Sequence, residues 1–357
     1  MSHAQSSHSI QAQINQDQYY MSLAIAEAKL GIYTARPNPA VGCVLVKQGQ
    51  VVGTGFHPKA GQPHAEVFAL RDAKRNGLDV SDATAYVTLE PCSHTGRTPP
   101  CAKALIDAGI GRVVIAGLDP NPKVAGRGVV MLKDVGITVT TGIMQAQAEA
   151  LNKGFLKAMR TQMPYVRLKI ASSLDGRTAM ASGESKWITG VEAREDVQTL
   201  RALSGAIITG SQTVIDDNPS LTVRSNQLGI EVDDIPQPKV VILDRRGRLS
   251  KGSDFQVLKL DGTQIWQVDN LEMLLSTLVT EHQIYDVLVE AGASVAGSFI
   301  QANLVDELIV YQAPCILGST TNPMLTLSIE QLSNQYRYVL VSHETVGNDL
   351  KLVYKRP

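Results

Sequence analysis

Short apolar runs alternate with helix-like stretches along this chain, and the alternation begins twice, which confines the fold to two α/β units in series. The first series opens with Val41-Gly42-Cys43-Val44-Leu45-Val46, which reads as a buried strand, and Val51-Val52 returns beyond a Gln48-Gly49-Gln50 turn. Helices are predicted over 64–74, 101–108 and 129–135, and strands over 83–89, 112–116 and 137–141. Ahead of them, Asp17 is placed to cap a helix carrying Tyr20, Leu23, Ala24 and Lys29, with Gly31 as its stop. After a connecting helix around 149–160 the series restarts, with strands over 165–171, 206–209, 239–243, 287–290 and 307–311. Helical stretches at 194–203, 277–283 and 298–303 separate them, so a largely parallel sheet is expected in each half. Pro164 disfavours continuing the connecting helix, so the boundary is placed at Met163-Pro164. The expected division is a disordered polar tail over 1–16, one domain over 17–162 and a second over 163–357.

Composition narrows the function. A 44% hydrophobic content is incompatible with a disordered chain. The 33 basic and 34 acidic side chains leave a net charge of -1, which argues against a general nucleic-acid binder but leaves room for a cationic pocket around one small phosphorylated ligand. No apolar run approaches the ~18–20 residues of a membrane helix, and the polar start lacks the pattern of a secretory signal. Four cysteines in 357 residues make no disulfide framework; they fit a reducing cytoplasm, where metal binding or catalysis is the question.

One group of residues has the chemistry of a metal centre. His64-Ala65-Glu66, Pro91-Cys92 and Cys101 supply one imidazole and two thiolates, a three-ligand zinc set that leaves a fourth position for water. His64 and Cys101 each open a predicted helix, Cys92 follows a strand, and a thiolate at a helix N-terminus is favoured by free backbone N–H groups. Glu66, two residues from His64, falls on another face and is free to move protons beside the metal, as a zinc deaminase requires. Taken singly these signals are weak. The two cysteines could form a core pair or a structural zinc site, the usual deaminase signature separates its cysteines by two residues rather than eight, and His94 between them could compete as a ligand.

The second half has no Gly-X-Gly-X-X-Gly after a strand. It has Val287-Leu288-Val289-Glu290-Ala291-Gly292-Ala293-Ser294-Val295-Ala296-Gly297-Ser298, a strand entering a glycine-bearing loop and a helix whose start could cradle a pyrophosphate, or which could be an ordinary β–α turn. Asp244, Arg245 and Arg246 follow a strand; an acid there could accept from a ribose hydroxyl, and an arginine could pair with a 2′-phosphate, which points to NADPH. Arg201 and Arg224 are candidates for anion binding. Asn38, between two prolines, is either a substrate-amide contact or a turn former. Cys43 and Cys315 are expected as buried structural thiols, and His57 and His282 as residues without a special role.

The motifs His64-Ala65-Glu66-Val67, Thr88-Leu89-Glu90-Pro91-Cys92-Ser93-His94 and Gly96-Arg97-Thr98-Pro99-Pro100-Cys101 closely resemble the deaminase half of the bifunctional riboflavin-biosynthesis deaminase–reductase family. So do Pro37-Asn38-Pro39-Ala40-Val41-Gly42, Asp119-Pro120-Asn121-Pro122 and Gly126-Arg127-Gly128. Leu174-Asp175-Gly176-Arg177-Thr178-Ala179, the segment 182–189, Asp217-Asn218-Pro219-Ser220-Leu221-Thr222-Val223-Arg224 and Glu290-Ala291-Gly292 resemble its reductase half, and the likeness spans Tyr19 to Gly318. That family has the long cysteine spacing. The resemblance implies a cytidine-deaminase-like three-layer domain followed by a dihydrofolate-reductase-like domain. It assigns His64, Cys92 and Cys101 to zinc and Glu66 to acid–base work. It implies NADPH contacts from Ala171, Trp187, Thr213, Asp217 and Gly292 to Ser298 (Gly292, Ala293, Ser294, Val295, Ala296, Gly297 and Ser298). Ser185, Arg201, Leu221, Arg224 and Glu290 would hold substrate, while Arg245 stands where the family often has a small polar residue. The implied reactions are deamination of 2,5-diamino-6-(5-phosphoribosylamino)pyrimidin-4-one and NADPH reduction of the ribosyl group of the product to ribityl. A cytoplasmic homo-oligomer with this phosphoribosylaminopyrimidine as partner, and no nucleic acid or membrane, is expected.

Overall fold

The computed structural model describes residues 2–93, 99–122, 124–185, 187–250 and 252–357, with side chains from residue 10 onward. The chain divides into two compact units, Met1–Thr161 and Gln162–Pro357.

The first unit contains α1 (Ser2–Leu30), β1 (Gly42–Lys47), β2 (Gln50–Phe56), α2 (Ala65–Arg75), β3 (Thr84–Leu89), α3 (Cys101–Asp107), β4 (Arg112–Gly117), α4 (Arg127–Lys133), β5 (Thr138–Thr141), α5 (Gln145–Leu151) and α6 (Lys153–Thr161). Its sheet runs β2-β1-β3-β4-β5. β1 is antiparallel to β2 and β3, and β3, β4 and β5 are parallel. Successive strand side chains point to opposite faces, so β1 sends Cys43 and Leu45 into one core and Val44 and Val46 into another. Alanines of α2 and α3 cover the first face, and Met21 and Ala24 of α1 with Ala148 of α5 cover the second, giving three layers. Gly55 of β2 carries α2 directly: a Cβ there would lie 2.6 Å from the carbonyl oxygen of Ala65, the first residue of the helix.

Two expectations differ from this unit. Residues 2–16, expected as a disordered tail, continue the same helix as 17–30; they contain no glycine or proline to end it. Asp17 is therefore no N-cap. Its buried carboxylate lies inside α1 and accepts from Arg112 Nη1 at 2.8 Å, Arg112 Nη2 at 2.7 Å and the Tyr86 hydroxyl at 2.9 Å. Burial opposes its ionisation, but the bonds from Arg112 and Tyr86 win and hold its pKa below the ordinary 3.8. A depressed acid stabilises the fold above its unfolded pKa and loses that contribution as pH falls through the lower folded value. Asp17→Asn is expected to cost about 2 kcal/mol at neutral pH and to flatten the acid dependence of unfolding below pH 3.8, both measured by urea titration of the first unit.

The second unit contains β6 (Tyr165–Ser172), β7 (Arg177–Ala179), α7 (Val191–Ala202), β8 (Ala206–Gly210), α8 (Ser211–Asp217), β9 (Lys239–Leu243), β10 (Gln264–Trp266), α9 (Leu271–Thr280), β11 (Asp286–Val289), α10 (Ala293–Gln301), β12 (Glu307–Gln312), β13 (Asn322–Pro323), β14 (Val339–Val346) and β15 (Asp349–Lys355). The main sheet runs β10-β9-β8-β11-β6-β12-β15-β14, and β7 pairs with β13 apart from it. From β10 to β12 all pairs are parallel, and β15 and β14 add antiparallel strands. Val287 and Val289 enter one core and Leu288 the other, so both faces of the central strands are covered, as near-continuous apolar strands require. The parallel strands bring their C-terminal ends to one edge, where open α/β sheets hold ligands.

Candidate metal centre and reductase cavity

α2 starts at Ala65, with His64 as its N-cap in extended backbone (φ -79°, ψ 170°). Cys92 follows β3, and Cys101 is the first residue of α3. The fold brings these three together: His64 Nδ1 lies 3.6 Å from Cys92 Sγ and 3.2 Å from Cys101 Sγ, and all three ligand atoms fall within 4.8 Å of one another. A tetrahedral zinc bound about 2.3 Å from sulfur and 2.0–2.1 Å from nitrogen spaces its ligands about 3.5–3.8 Å apart, so the donor set fits the ion. The backbone N–H of Cys101 donates to Cys92 Sγ at 3.3 Å. Hydrogen bonding from Cys101, with His64 beside it, lowers the pKa of Cys92, while the Cys92 sulfur and burial raise that of Cys101. Zinc binds cysteine as the thiolate, so binding of the ion would release the thiol protons of the pair. His94, the rival ligand, and residues 96–98 of the same motif lie outside the described residues.

Glu66 is 3% exposed in the first turn of α2. Its carboxyl is hydrogen-bonded with Cys101, and its Oε2 is buried without a partner among the described residues. Burial raises its pKa, against the pull of His64. A carboxyl oxygen left open beside the three ligand atoms is placed to give and take protons.

Asn38 reaches this centre through His57. Its side chain lies 3.0 Å from His57 Nε2, His57 Nδ1 is 3.0 Å from the Pro63 carbonyl oxygen, and the rings of His57 and His64 meet edge-on at 5.2 Å. Asn152 pins the loop behind Asn38, accepting from Ala40 N and donating to Ala40 O, both at 2.8 Å. Asn152 lies at the break between α5 and α6, so the expected single connecting helix is two helices. His57, expected as a residue without a special role, is a buried link in the site; a lone histidine in a loop carries no sequence signal for this.

In the second unit a cavity of about 720 Å³ opens at the C-terminal ends of β6, β8 and β11. Of the residues implied by resemblance, Ala171, Ser185, Trp187, Arg201, Thr213, Asp217, Leu221, Arg224, Glu290, Gly292, Ala293, Ser294 and Val295 line it. Ala296, Gly297 and Ser298 do not. α10 begins at Ala293, so only its first turn faces the cavity; Ala296 and Gly297 are buried, and Ser298 Oγ donates back to Ser294 O at 3.0 Å. Gly292 N donates to Thr213 Oγ1 at 3.2 Å, tying the starts of α8 and α10 together, and Ser185 Oγ donates to Asp217 Oδ1 at 3.0 Å. Trp187 is 67% exposed, with the Arg194 guanidinium 4.4 Å from its ring centre.

Arg201 grips Glu290 with Nε at 2.6 Å and Nη2 at 3.1 Å, and donates from Nη1 to Thr222 O at 3.1 Å. Lys169, from the middle of β6, also lines the cavity; burial lowers its pKa while Glu290 opposes. Its signal in the sequence was one lysine within the apolar run of β6. Arg224 is exposed on the rim, where its Nη1 donates to Ser220 Oγ at 3.0 Å.

Asp244, Arg245 and Arg246 do not line the cavity. Asp244 is fully buried and accepts from Leu249 N at 2.8 Å, so it closes its own turn instead of meeting a ribose, and Arg245 points to solvent near Asp269. Arg248 is the arginine turned toward α8, donating to Ser211 Oγ at 2.8 Å. Cys43 is fully buried, as expected, whereas Cys315 is half-buried after β12.

Residues 14–117 match the family model of the cytidine and deoxycytidylate deaminase zinc-binding region, and residues 164–352 match the RibD C-terminal domain. The riboflavin biosynthesis protein RibD of Escherichia coli K12 is 47% identical over 370 residues, covering 94% of this chain and 98% of that protein. The protein of the same name from Haemophilus influenzae is 48% identical, covering 95% and 97%. Among solved structures, Acinetobacter baumannii RibD superposes with a TM-score of 0.91 at 52% identity, covering 96% of this chain and 99% of that one. The Thermotoga maritima diaminohydroxyphosphoribosylaminopyrimidine deaminase/5-amino-6-(5-phosphoribosylamino)uracil reductase superposes at 0.88 with 33% identity, covering 97% and 100%.

Proposed function

The chain belongs to the RibD family of bifunctional riboflavin-biosynthesis deaminase–reductases, and on that premise we propose how its own residues divide the two reactions. Its first unit has the cytidine-deaminase-like fold of the family and its second the dihydrofolate-reductase-like fold. The first removes the 2-amino group of 2,5-diamino-6-(5-phosphoribosylamino)pyrimidin-4-one as ammonia; the second reduces the ribosyl group of 5-amino-6-(5-phosphoribosylamino)uracil at C1′.

Zinc, when bound, supplies the Lewis acid that activates water, and NADPH supplies the hydride. His64, Cys92 and Cys101 hold the metal. Glu66 takes a proton from the attacking water and delivers one to the departing amino nitrogen. Asn38 orients the heterocycle. In the second unit, the start of α10 would offer the backbone N–H groups of Ala293 to Val295 to the cofactor phosphates, with Gly292 held by Thr213, and Asp217, Ala171 and Trp187 would surround the cofactor. Lys169, Glu290 and Arg201 set the charge beside the sugar, Ser185 and Leu221 flank it, and Arg224 on the rim meets its phosphate. The observation that carries the reading is the convergence of three ligand atoms within 4.8 Å beside the open, buried oxygen of Glu66.

Without NADPH, the diaminopyrimidine phosphate is expected to release ammonia and stop at the uracil; adding NADPH then gives matching oxidation. In the same assay Arg224→Ala raises the KM of the reduction about tenfold or more and leaves ammonia release unchanged. Ammonia release without later NADPH oxidation would refute the reductase half, and equal losses in both activities would refute the role of Arg224.

Self-association and a cytoplasmic location belong to the same reading. The edge strand β14 exposes Val339, Leu340 and Val341, which supports a homo-oligomer. The four cysteines are free thiols, and among the described residues no helix is long and apolar enough to cross a membrane.

A further inference from the structure

We propose that His57 is a positioning residue of the deaminase, a fixed tautomer that turns the amide of Asn38 so that its carbonyl oxygen meets the heterocycle. The inference rests on the deaminase reading of the first unit. Hydrogen-bond polarity carries it. The Pro63 carbonyl oxygen, 3.0 Å from His57 Nδ1, can only accept, so Nδ1 carries the proton. A neutral imidazole then presents a lone pair at Nε2, and the Asn38 atom 3.0 Å away must be the donor Nδ2. Oδ1 takes no hydrogen bond among the described residues and is left as an acceptor.

The relay is rigid at both ends. His57 is 2% exposed and packs edge-on against His64, and Pro63 immediately precedes that metal-ligand candidate. The backbone behind Asn38 is clamped at Ala40 by both amide groups of Asn152. The amide therefore cannot turn without losing its bond to His57. An acceptor held there selects a ligand that donates an N–H toward it: an amino-substituted or amide-bearing pyrimidine, in preference to a ring with acceptors alone on that edge.

A double-mutant cycle on the zinc-loaded enzyme tests this, comparing Asn38→Ala, His57→Ala, the double variant and His57→Gln by ammonia release, zinc content and NADPH oxidation. Each single alanine variant is expected to lower the deaminase kcat/KM about tenfold or more, with zinc and reduction unchanged. The double variant falls no further than Asn38→Ala within about twofold, because His57 acts only through Asn38. His57→Gln, whose Oε1 can accept the same N–H, recovers to within about threefold of wild type. Losses that multiply in the double variant would overturn the proposal, and so would loss of zinc in His57→Ala or absence of rescue by glutamine. A failed cycle in an enzyme that Glu66→Gln still inactivates condemns the role of His57 alone; an active Glu66→Gln enzyme condemns the deaminase reading itself.

Discussion

Glu66→Gln is expected to cut ammonia release about 10³-fold or more while bound zinc and the reduction of deaminated intermediate remain at wild-type levels. The substitution preserves shape and burial. It removes only the ability of the carboxyl to carry a proton, which general acid–base catalysis uses at about 10²–10⁴-fold. Oε2 has no partner among the described residues, so the amide breaks no bond at that atom. The wild-type carboxyl is disfavoured in its charged form by burial. The variant is therefore expected to be at least as stable as wild type in urea, the stability cost of an open catalytic group being relieved. Zinc content by metal analysis, ammonia release and NADPH oxidation check the three parts separately. Deamination at the normal rate would remove Glu66 from the mechanism.

Glu290→Gln is expected to have the largest effect in the second unit. Glu290 is the counter-charge to Arg201, which it meets at 2.6 and 3.1 Å, and it also faces Lys169. Neutralising it leaves two largely buried cations together, and removing one partner of such a group costs about 3–5 kcal/mol. Reduction is expected to fall about 100-fold or more, with ammonia release intact because the deaminase lies in the other unit. The pH dependence has a definite sign. Burial would raise the pKa of Glu290, but Arg201 first and Lys169 next hold it below the ordinary 4.5. Its contribution is present above pH 4.5 and is lost as pH falls through the lower folded value. Wild type therefore loses stability in that range, and the Gln variant, already without the charge, shows no such loss. Urea unfolding of the second unit at pH 7 and below pH 4.5 checks both statements. A variant with wild-type stability and reduction would show that Glu290 is not the counter-charge.

Much of the site was legible because its parts are local. His64 at the start of α2, Cys92 after β3 and Cys101 at the start of α3 sit where element boundaries place them, and boundaries follow from capping and periodicity over a few residues. The apolar strands of the parallel sheet were legible for the same reason. The C-terminal hairpin was not: β14 is exposed along nearly its whole length, so no alternation of burial marks it. Asp244 and Arg245 misled because a charge after a strand looks the same whether it closes its own turn or meets a ligand, and only the hydrogen bond to Leu249 N separates the two. Ala296, Gly297 and Ser298 share the motif of the α10 loop without lining the cavity, because motif likeness does not show where a helix turns its residues.

The amino-acid sequence by itself determined the alternation of apolar strands and helices in the parallel sheets, the division into two α/β units and the candidate metal-binding and proton-carrying side chains. Tertiary structure alone decided which distant groups meet: Asp17 with Arg112, Asn38 with His57, Asn152 with Ala40, and Lys169 with Glu290 and Arg201. The reason is physical. Helix and strand periodicity acts between residues a few positions apart and is written in every window of the chain. A pairing between residues tens to over a hundred positions apart depends on sheet order and register, which arise only when the whole hydrophobic surface is buried at once.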